Sequence, residues 1–506
     1  MKSEKVAKGA VYLTVQSIIG YFFLFLFYML IARIFNPTQV GQLSILLLVS
    51  SFFMLSNLSL QFILQKYIPK YVEDGRQNET GSIIRAALII LISVSTSFLI
   101  ILVLFNAQLS IFVFGSTSET WPLVLILVAS FFLNLSLFFG GAMLGYGMFK
   151  EIAIQNILNI GVSRILAISL AIMGLGLVAV ATGWLIAAIS AVLYSIFVLR
   201  HKFQLKEGFS IKKVLEFSLP VHVLSIILFI QGWVDIAILY ALAIDLSDIG
   251  TYYLVASGVM VLSIFYIPIS MVILPALASR YTQLGAKGMS PMAETYIRIV
   301  SKILIPLGFS FAALSSTAIE VAFGPQYTSG AIPFALLAAT IIAPALVLLM
   351  VNIIQSIGDT KPLIIIGAAS SITDIVLVTA FASSFGGIAG AAGRISFSIV
   401  GVILGYYFVR KSIKLNILTQ FKQPLLAATI IAIPLYILDQ YLTQTINLTL
   451  RLRVPIDILT FIAITITFVY LTHYISKEDF DILRQAMPKK LEIIINKIEN
   501  IFTKPK

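Results

Sequence analysis

Long, nearly uninterrupted runs of apolar residues divide the chain into regular segments. A helix that crosses a bilayer needs roughly 20 consecutive apolar residues, and the chain contains about fourteen such runs separated by short polar turns. The runs are rich in Leu, Ile, Phe and Ala and are too long for strands of a barrel, which need only about ten alternating residues. The pattern therefore predicts an all-α integral membrane protein. The predicted spans are residues 9–33, 41–68, 83–105, 121–145, 153–173, 177–199, 214–243, 251–278, 295–323, 330–355, 362–384, 388–409, 424–443 and 455–474.

The composition supports this interpretation and excludes several classes of protein. Of the 506 residues, 59% are hydrophobic and only 11% are charged, and the mean hydropathy is +1.02. Soluble proteins carry about 45–50% apolar and about 25% charged residues, so a soluble enzyme is excluded. The absence of cysteine excludes a disulfide scaffold and any thiolate metal site. No G-x-x-x-x-G-K-[ST] motif is present, and we expect neither enzymatic activity nor a cofactor or metal.

The positive charges are concentrated on one side of the predicted membrane. The formal net charge is +12, which by itself would suggest binding to nucleic acid. With the N-terminus inside, however, 29 of the 34 basic residues fall in cytoplasmic segments or at the cytoplasmic ends of spans. Such a bias predicts that both termini are cytoplasmic, and it removes the argument for a nucleic-acid partner. The exceptions are Arg33, Arg164, Arg394, Arg451 and Arg453.

The C-terminal residues 476–506 depart from the spanning pattern. Apolar residues recur there at helical spacing among lysines, which predicts a basic amphipathic helix on the inner leaflet. The alternative is a solvated charged tail. The apolar residues concerned are Leu491, Ile494, Ile495, Ile498 and Phe502.

The chain contains an internal repeat. A shift of 209 residues places the segment from Ala32 to Gly41 on the segment from Ala241 to Gly250, and it also aligns Phe114-Gly115 with Phe323-Gly324. The pattern predicts two pseudo-symmetric six-helix lobes, at residues 1–200 and 201–412, followed by helices 13 and 14 at residues 413–475. Because six is even, both lobes begin inside, and the repeats are parallel. This architecture predicts a transporter with a cavity between its lobes and alternating access.

Four segments carry a family resemblance. They are "RIFNPTQVGQLS", "WVDIAILYALAIDLSDIGTYYLV", "FGPQYTSGAIPFALL" and "GDTKPLIIIGAASSITDIVL". Each is a turn at a helix end, and together they resemble Wzx-type lipid-linked oligosaccharide flippases of the multidrug/oligosaccharidyl-lipid/polysaccharide exporter superfamily. The resemblance covers roughly residues 1–412. It implies a flippase that turns a polyprenyl-(pyro)phosphate-linked oligosaccharide from the inner to the outer leaflet of the cell membrane, among membrane lipids and glycan-assembly enzymes.

Two other functions fit the same architecture. One is a cation-coupled antiporter of drugs or small molecules. Against it, residues 9–33 contain no acid, and helices 13 and 14 resemble an addition found in the lipid II flippase. The other is a non-transporting scaffold of a glycan-assembly complex, which leaves a buried arginine unexplained.

That arginine is Arg164. At 1.5 Å per residue it lies roughly 16 Å into the fifth predicted span, near the middle of the membrane. An ionised side chain at that depth costs about 2.5–3.5 kcal/mol and marks a functional candidate. The first lobe offers no obvious acidic partner, and a guanidinium fork suits phosphate oxygens. We therefore expect Arg164 to bind the substrate's phosphate, or else to be held by backbone carbonyls or by an acid of the second lobe.

Three further charged residues are candidates for gating or coupling. Asp374 and Arg394 fall at similar depths on consecutive spans, about 18 Å and about 9 Å from opposite surfaces. We expect them to form an ion pair, or Asp374 to act as a protonatable carboxylate. Asp235 is expected to pair with Arg33 across the cleft and close an outer gate, or else to be solvated.

Polar side chains within the spans complete the predicted site. We expect them to line the cavity together with Arg164 and Arg33, or to form interhelical hydrogen bonds. They are Asn156, Asn159, Gln231, Gln355, His222, Asn57 and Gln61.

Overall fold

The structure is a computed structural model. It describes residues 3–76, 79–117, 119–202, 209–359, 361–446, 448–472, 474–476, 479–480 and 499. These residues form nineteen α-helices and contain no β-strand. The helices are α1 (Ser3–Ile34), α2 (Pro37–Met54), α3 (Leu60–Glu73), α4 (Thr80–Leu104), α5 (Asn106–Phe114), α6 (Thr120–Gly145), α7 (Phe149–Ile172), α8 (Gly176–Leu199), α9 (Ile211–Ala241), α10 (Leu246–Met260), α11 (Ile267–Leu284), α12 (Ser290–Ala313), α13 (Ser315–Ala322), α14 (Ala331–Ala339), α15 (Ile342–Ile357), α16 (Lys361–Phe385), α17 (Gly387–Val409), α18 (Ile417–Gln440) and α19 (Leu450–Thr472).

Fourteen helical segments in the described residues are long and apolar enough to cross a membrane. The predicted class, an all-α integral membrane protein with about fourteen spans, is thereby confirmed. Large apolar side chains remain exposed on most of these helices, for example Ile172, Leu193 and Leu459. In water such exposure would be unfavourable, whereas lipid is an apolar solvent for the same surface.

The helices fall into two compact units. The first comprises Met1–Ile264, Phe323–Pro333 and Asp359–Leu404, and the second comprises Phe265–Ala322, Phe334–Gly358 and Gly405–Lys506. The first unit therefore contains helices from both predicted lobes, including α1 to α8 of one and α9, α10, α16 and α17 of the other.

Local sequence explains the turn between α1 and α2. The Oδ1 atom of Asn36 accepts a hydrogen bond from the backbone N–H of Gln39 at 2.9 Å, and the Gln39 side chain accepts one from the Asn36 N–H at 3.1 Å. This reciprocal capping satisfies two donors at the helix start. Pro37 occupies the first helical position, where its missing N–H costs nothing.

Two segments that the 209-residue shift aligns contact each other where α2 crosses α10 in the first unit. A Cβ on Gly41 would overlap the backbone carbonyl of Leu246, and a Cβ on Gly250 would overlap the backbone carbonyl of Pro37. Both the two glycines and the pair Pro37 and Leu246 are related by the 209-residue shift. The contact is therefore symmetric, as in an isologous interface between duplicated elements. Only glycine allows the two backbones to approach this closely.

One predicted span is interrupted. Span 41–68 is continuous by hydropathy, but the structure ends α2 at Met54 and begins α3 at Leu60. Leu58 and Ser59 between them have φ angles of 50° and 58°, in the left-handed region. The break was not predicted, because residues 55–59, which lie between the two helices, include neither glycine nor proline.

The second unit contains a small cluster of ion pairs around Asp479, which follows the last candidate span in the sequence. The carboxylate of Asp479 lies 2.6 Å from the Nζ atom of Lys302 and 3.3 Å from the Nε atom of Arg298. Burial alone would raise the pKa of Asp479, but the hydrogen bonds from Lys302 and from the backbone N–H of Ser476 outweigh it and lower that pKa. Most of the predicted amphipathic tail, including Leu491 to Phe502, lies outside the described residues apart from Glu499.

Candidate functional site

Arg164 on α7 lies against two aromatic rings in the first unit. The Cζ atom of its guanidinium is 3.9 Å from the ring centroid of Trp184 on α8 and 5.0 Å from that of Phe27 on α1. Both distances are within the range of cation–π attraction, which amounts to about 0.5–2 kcal/mol per ring. The two rings also pack edge-on against each other, with centroids 5.4 Å apart. They fix the position of the guanidinium without neutralising its charge.

The guanidinium keeps most of its hydrogen-bonding capacity. Its Nη1 atom is 3.4 Å from the Ser163 hydroxyl, and its Nε atom is buried without a hydrogen-bond partner. Within the part of the chain that the structure describes, no carboxylate forms an ion pair with Arg164. The expected partner from the second lobe is thus not found there. An arginine held in this way can offer a fork of N–H groups to an anion.

A row of packed aromatic side chains continues from Phe27. The ring of Tyr28 is 5.2 Å from Phe27, and its hydroxyl is 2.5 Å from the hydroxyl of Tyr253 on α10. The ring of Tyr253 stacks on Trp233 of α9 at 6.0 Å and 22°. This aromatic row, Phe27–Tyr28–Tyr253–Trp233, connects Arg164 with helices of the second predicted lobe.

A second charged group lies in the same unit. The Nε atom of Arg394 on α17 is 2.5 Å from Oδ2 of Asp235 on α9, and its Nη2 atom donates to the carbonyl of Gly232 at 3.1 Å. Tyr252 on α10 also donates its hydroxyl to Oδ2 of Asp235. Asp235 and Tyr252 are almost completely buried, at 0% and 1% exposure. The group joins three helices through a charged pair. Removing either Asp235 or Arg394 would leave the charge of the other buried without a counter-charge.

These contacts overturn two predicted pairings. The predicted Asp374–Arg394 pair is wrong, because Arg394 binds Asp235. The predicted Asp235–Arg33 pair is also wrong, because Arg394 and Tyr252 occupy the Asp235 carboxylate. Depth along a helix predicts the height of a side chain but not the direction in which the helix turns it. Arg394 faces α9, whereas the sequence argument assumed that it faces its neighbour in the chain.

Asp374 on α16 is buried at 1% exposure, and neither of its carboxylate oxygens has a hydrogen-bond partner among the described residues. It packs against the backbone of α17, where a Cβ on Gly393 would overlap its Oδ1 atom. An ionised carboxylate in this position would be strongly disfavoured. Of the two roles expected for Asp374, the geometry is compatible with the protonatable carboxylate.

The comparisons with known proteins establish the family. The model of the polysaccharide biosynthesis protein family matches residues 6–280, more than half of the chain. The chain belongs to this family. A comparison with curated protein sequences finds no match.

The fold of the chain resembles solved transporter structures. The lipid II flippase MurJ in an inward closed conformation has a TM-score of 0.72 and 16% identity, over 91% of this chain and 98% of that chain. An inward-facing multidrug resistance MATE family transporter of the MOP superfamily has a TM-score of 0.63 and 14% identity, over 78% and 95%. A MOP superfamily transporter from Pyrococcus furiosus has a TM-score of 0.58 and 14% identity, over 80% and 96%. At such identities the likeness shows the fold.

The remaining predicted site residues are dispersed over several helices of the chain. Asn156 on α7 donates to the Gln16 side chain on α1 at 3.3 Å, an interhelical hydrogen bond. Asn159 and Gln231 are partly buried on α7 and α9, and Arg33 is exposed at the end of α1. Gln355 is exposed on α15, in the second unit.

Sequence reasoning missed the aromatic members of both sites. Trp184 gives no signal beyond its position in an apolar span. Trp233, Tyr252 and Tyr253, in contrast, all fall in "WVDIAILYALAIDLSDIGTYYLV", one of the four segments that carry the family resemblance. This segment, which also contains Asp235, contributes to both charged sites. Of its residues, the sequence analysis named only Asp235 as a site candidate.

Proposed function

We propose that this polysaccharide biosynthesis protein is a flippase that moves a polyprenyl-(pyro)phosphate-linked oligosaccharide from the cytoplasmic to the outer leaflet of the cell membrane. Its family, its fourteen candidate spans and its transporter-like fold support this function. Alternating access would arise from rocking of the predicted lobes 1–200 and 201–412, with residues 413–475 as an addition. Membrane lipids surround it, and glycan-assembly enzymes would supply or receive its substrate.

The unpaired arginine is the observation that carries the proposal. Arg164 is fixed between Trp184 and Phe27 within a span and has no acidic partner among the described residues. A phosphate or pyrophosphate would supply the missing counter-charge and would accept hydrogen bonds from the guanidinium fork. In the proposed cycle, Arg164 holds the anionic group while the glycan crosses the hydrocarbon core. Asn156, Asn159, Gln231, Gln355 and Arg33 are proposed to line the path.

The second charged site is proposed to set the conformational equilibrium. The Asp235–Arg394 pair ties α9 to α17, and Tyr252 ties it to α10. Breaking such a buried pair is unfavourable, so any state that separates these helices must regain other contacts. Asp374, which lies beside this site, is proposed to take up or release a proton during the cycle.

One observation favours a second function, a cation-coupled antiporter of drugs or small molecules. Asp374 is a buried carboxyl without a hydrogen-bond partner among the described residues, and a cation could replace its proton. The MATE family transporter shares the fold. Both functions use the same architecture and differ in what the protein binds.

Ligand-dependent stability of the purified protein distinguishes the two functions. A ligand that binds only the folded state adds about 2.7 kcal/mol of stability at a concentration of 100 times its Kd. We expect a polyprenyl pyrophosphoryl oligosaccharide to raise the thermal unfolding midpoint and Na⁺ or lipophilic cations to have no effect. The reverse pattern would favour the antiporter.

The orientation is proposed from the charge bias, with both termini in the cytoplasm. Because the wild-type chain has no cysteine, single cysteines report on orientation without background. In intact cells, an impermeant thiol reagent should label Thr117→Cys, which lies in a predicted outer loop, and should not label Gln204→Cys, which lies in a predicted inner loop. After the cells are opened, both should react. Labelling of Gln204→Cys in intact cells would reverse the proposed orientation.

A further inference from the structure

A cavity of about 260 Å³, lined by both polar and apolar side chains, lies in the first unit beside the interruption between α2 and α3. Its walls come from the two sides of this break, from α6 and from one face of α9. A membrane helix tolerates irregular backbone where it lines a cavity, because the free backbone N–H and C=O groups do not face lipid there. The lining residues that carry polar or aromatic groups are Ser51, Asn57, Ser59, Gln61, His222, Ser225, Phe229 and Trp233.

The interruption between α2 and α3 contributes polar side chains to this cavity. Leu58 and Ser59 hold left-handed backbone conformations, which are unfavourable for residues other than glycine. Asn57 caps the new helix, since its Oδ1 atom accepts from the N–H of Leu60 at 3.1 Å, and its amide donates to the carbonyl of Asn134 at 3.2 Å. These contacts maintain an unfavourable backbone that turns the Ser59 hydroxyl toward α9.

The polar groups of the cavity are uncharged hydroxyls, amides and one imidazole. The Ser59 hydroxyl is hydrogen-bonded to the Ser225 hydroxyl at 2.7 Å and to Nδ1 of His222 at 3.2 Å. The buried Oε1 atom of Gln61 has no partner among the described residues. The lining of the cavity contains no Asp, Glu, Lys or Arg. An anionic or cationic group would therefore find no counter-charge in this cavity, whereas a neutral group with several hydroxyls would find both donors and acceptors.

Apolar side chains, two of them aromatic, form the remaining wall. Trp233 and Phe229 lie on α9 beside the polar groups, and Trp233 is stacked on Tyr253. Trp233 is the last member of the aromatic row, whose first member, Phe27, lies against Arg164. A ligand whose phosphate lies at Arg164 and whose neutral part extends along this row would reach the cavity.

We propose that the Ser59–Ser225–Gln61–Trp233 cavity is a binding subsite for a neutral sugar ring of the transported lipid. Its hydroxyls and amide oxygen would exchange hydrogen bonds with the sugar hydroxyls, and the indole face of Trp233 would cover the C–H face of the ring. The subsite rests on the proposed flippase function. It adds a place where the protein distinguishes a glycosylated lipid from the bare lipid.

The test compares two lipids on the purified full-length protein in lipid nanodiscs. One is a polyprenyl pyrophosphate, and the other is the same lipid carrying a neutral oligosaccharide of glucose, galactose or N-acetylglucosamine, which can extend from Arg164 along the aromatic row. Removing two hydrogen-bonding groups should weaken binding of the glycosylated lipid about tenfold. The pocket variant is Gln61→Met with Ser225→Ala, which preserves side-chain size. The control is Ser97→Ala, which alters a serine of α4 that lines a neighbouring, largely apolar groove and does not line the cavity.

We expect the wild type and the Ser97→Ala control to bind at least one glycosylated lipid more tightly than the bare lipid. The pocket variant should lose this preference while binding the bare lipid as the wild type does, which also shows that it is folded. A preference that survives in the pocket variant, or a wild type that prefers none of the three sugars, would overturn the subsite but not the flippase. A wild type that binds neither lipid would contradict the proposed function itself, and the subsite with it.

Discussion

Replacing Arg164 with alanine should abolish lipid transport while the protein remains folded and about as stable as the wild type. Removal of a charge from the membrane interior relieves about 2.5–3.5 kcal/mol on insertion scales. The same change loses two cation–π contacts, with Trp184 and Phe27, of about 0.5–2 kcal/mol each. These terms are of similar size and opposite sign, so a large loss of stability is not expected. Transport fails because the phosphate has lost its partner.

The lysine variant separates charge from geometry. Arg164→Lys keeps a positive charge but loses the planar fork that binds two phosphate oxygens. It should fold normally, bind a polyprenyl pyrophosphate weakly and transport it poorly. The matched control is Arg410→Ala, since Arg410 is exposed at the end of α17 and also lies over an aromatic ring, that of Tyr407.

Melting curves with and without a polyprenyl pyrophosphoryl sugar test both variants. The wild type and Arg410→Ala should be stabilised by the lipid, whereas Arg164→Ala should not respond. If Arg164→Ala unfolds much more easily than the wild type without lipid, the arginine has a structural role. If the lipid stabilises Arg164→Ala as much as the wild type, Arg164 is not the phosphate-binding residue.

Replacing Asp235 with asparagine should be the most destabilising single change at the second site. Breaking a buried ion pair by removing one partner typically costs about 3–5 kcal/mol, because the other charge is left uncompensated. In Asp235→Asn that charge is Arg394, whose side chain is only 21% exposed. Adding Arg394→Gln to the same chain should recover much of the loss.

Asp374→Asn provides a matched control for Asp235→Asn. The two acids are equally buried, and the substitution is the same, but Asp374 has no hydrogen-bond partner among the described residues. Its replacement should therefore change the unfolding midpoint much less than Asp235→Asn does, and Arg394→Gln should not rescue it. A small coupling between the two changes is expected, because Asp374 packs against Gly393 and lies within electrostatic range of Arg394. The opposite result, a large loss in Asp374→Asn that Arg394→Gln rescues, would restore the pairing that the sequence favoured.

The elements that the sequence predicted well depend on composition along the chain. The bilayer imposes a minimum length of apolar run on every span, so the fourteen candidate spans in the described residues could be predicted from hydropathy. The aligned glycines of the predicted repeat, Gly41 and Gly250, also have a structural reason, because the close contact of α2 and α10 requires residues without a side chain.

What the sequence did not predict depends on rotation of helices about their axes. The partner of Arg394 is Asp235 rather than Asp374, because the direction in which α17 presents its arginine is set by packing. The interruption at Leu58 and Ser59 was missed for a related reason. Its backbone is stabilised by the tertiary hydrogen bond from Asn57 to Asn134 on α6, and no local residue preference announces it.

The most direct test of the central claim is a leaflet-resolved transport measurement. The purified protein is reconstituted in liposomes that contain a fluorescent polyprenyl pyrophosphoryl oligosaccharide in both leaflets, and an impermeant reagent quenches the label on the outer side. Wild-type protein should make the inner pool accessible, so that quenching proceeds nearly to completion. Liposomes with Arg164→Ala should lose only the outer pool, as protein-free liposomes do. If wild-type protein leaves the inner pool protected, and instead exchanges drugs or small cations across the same membrane, the protein is not a flippase for this lipid.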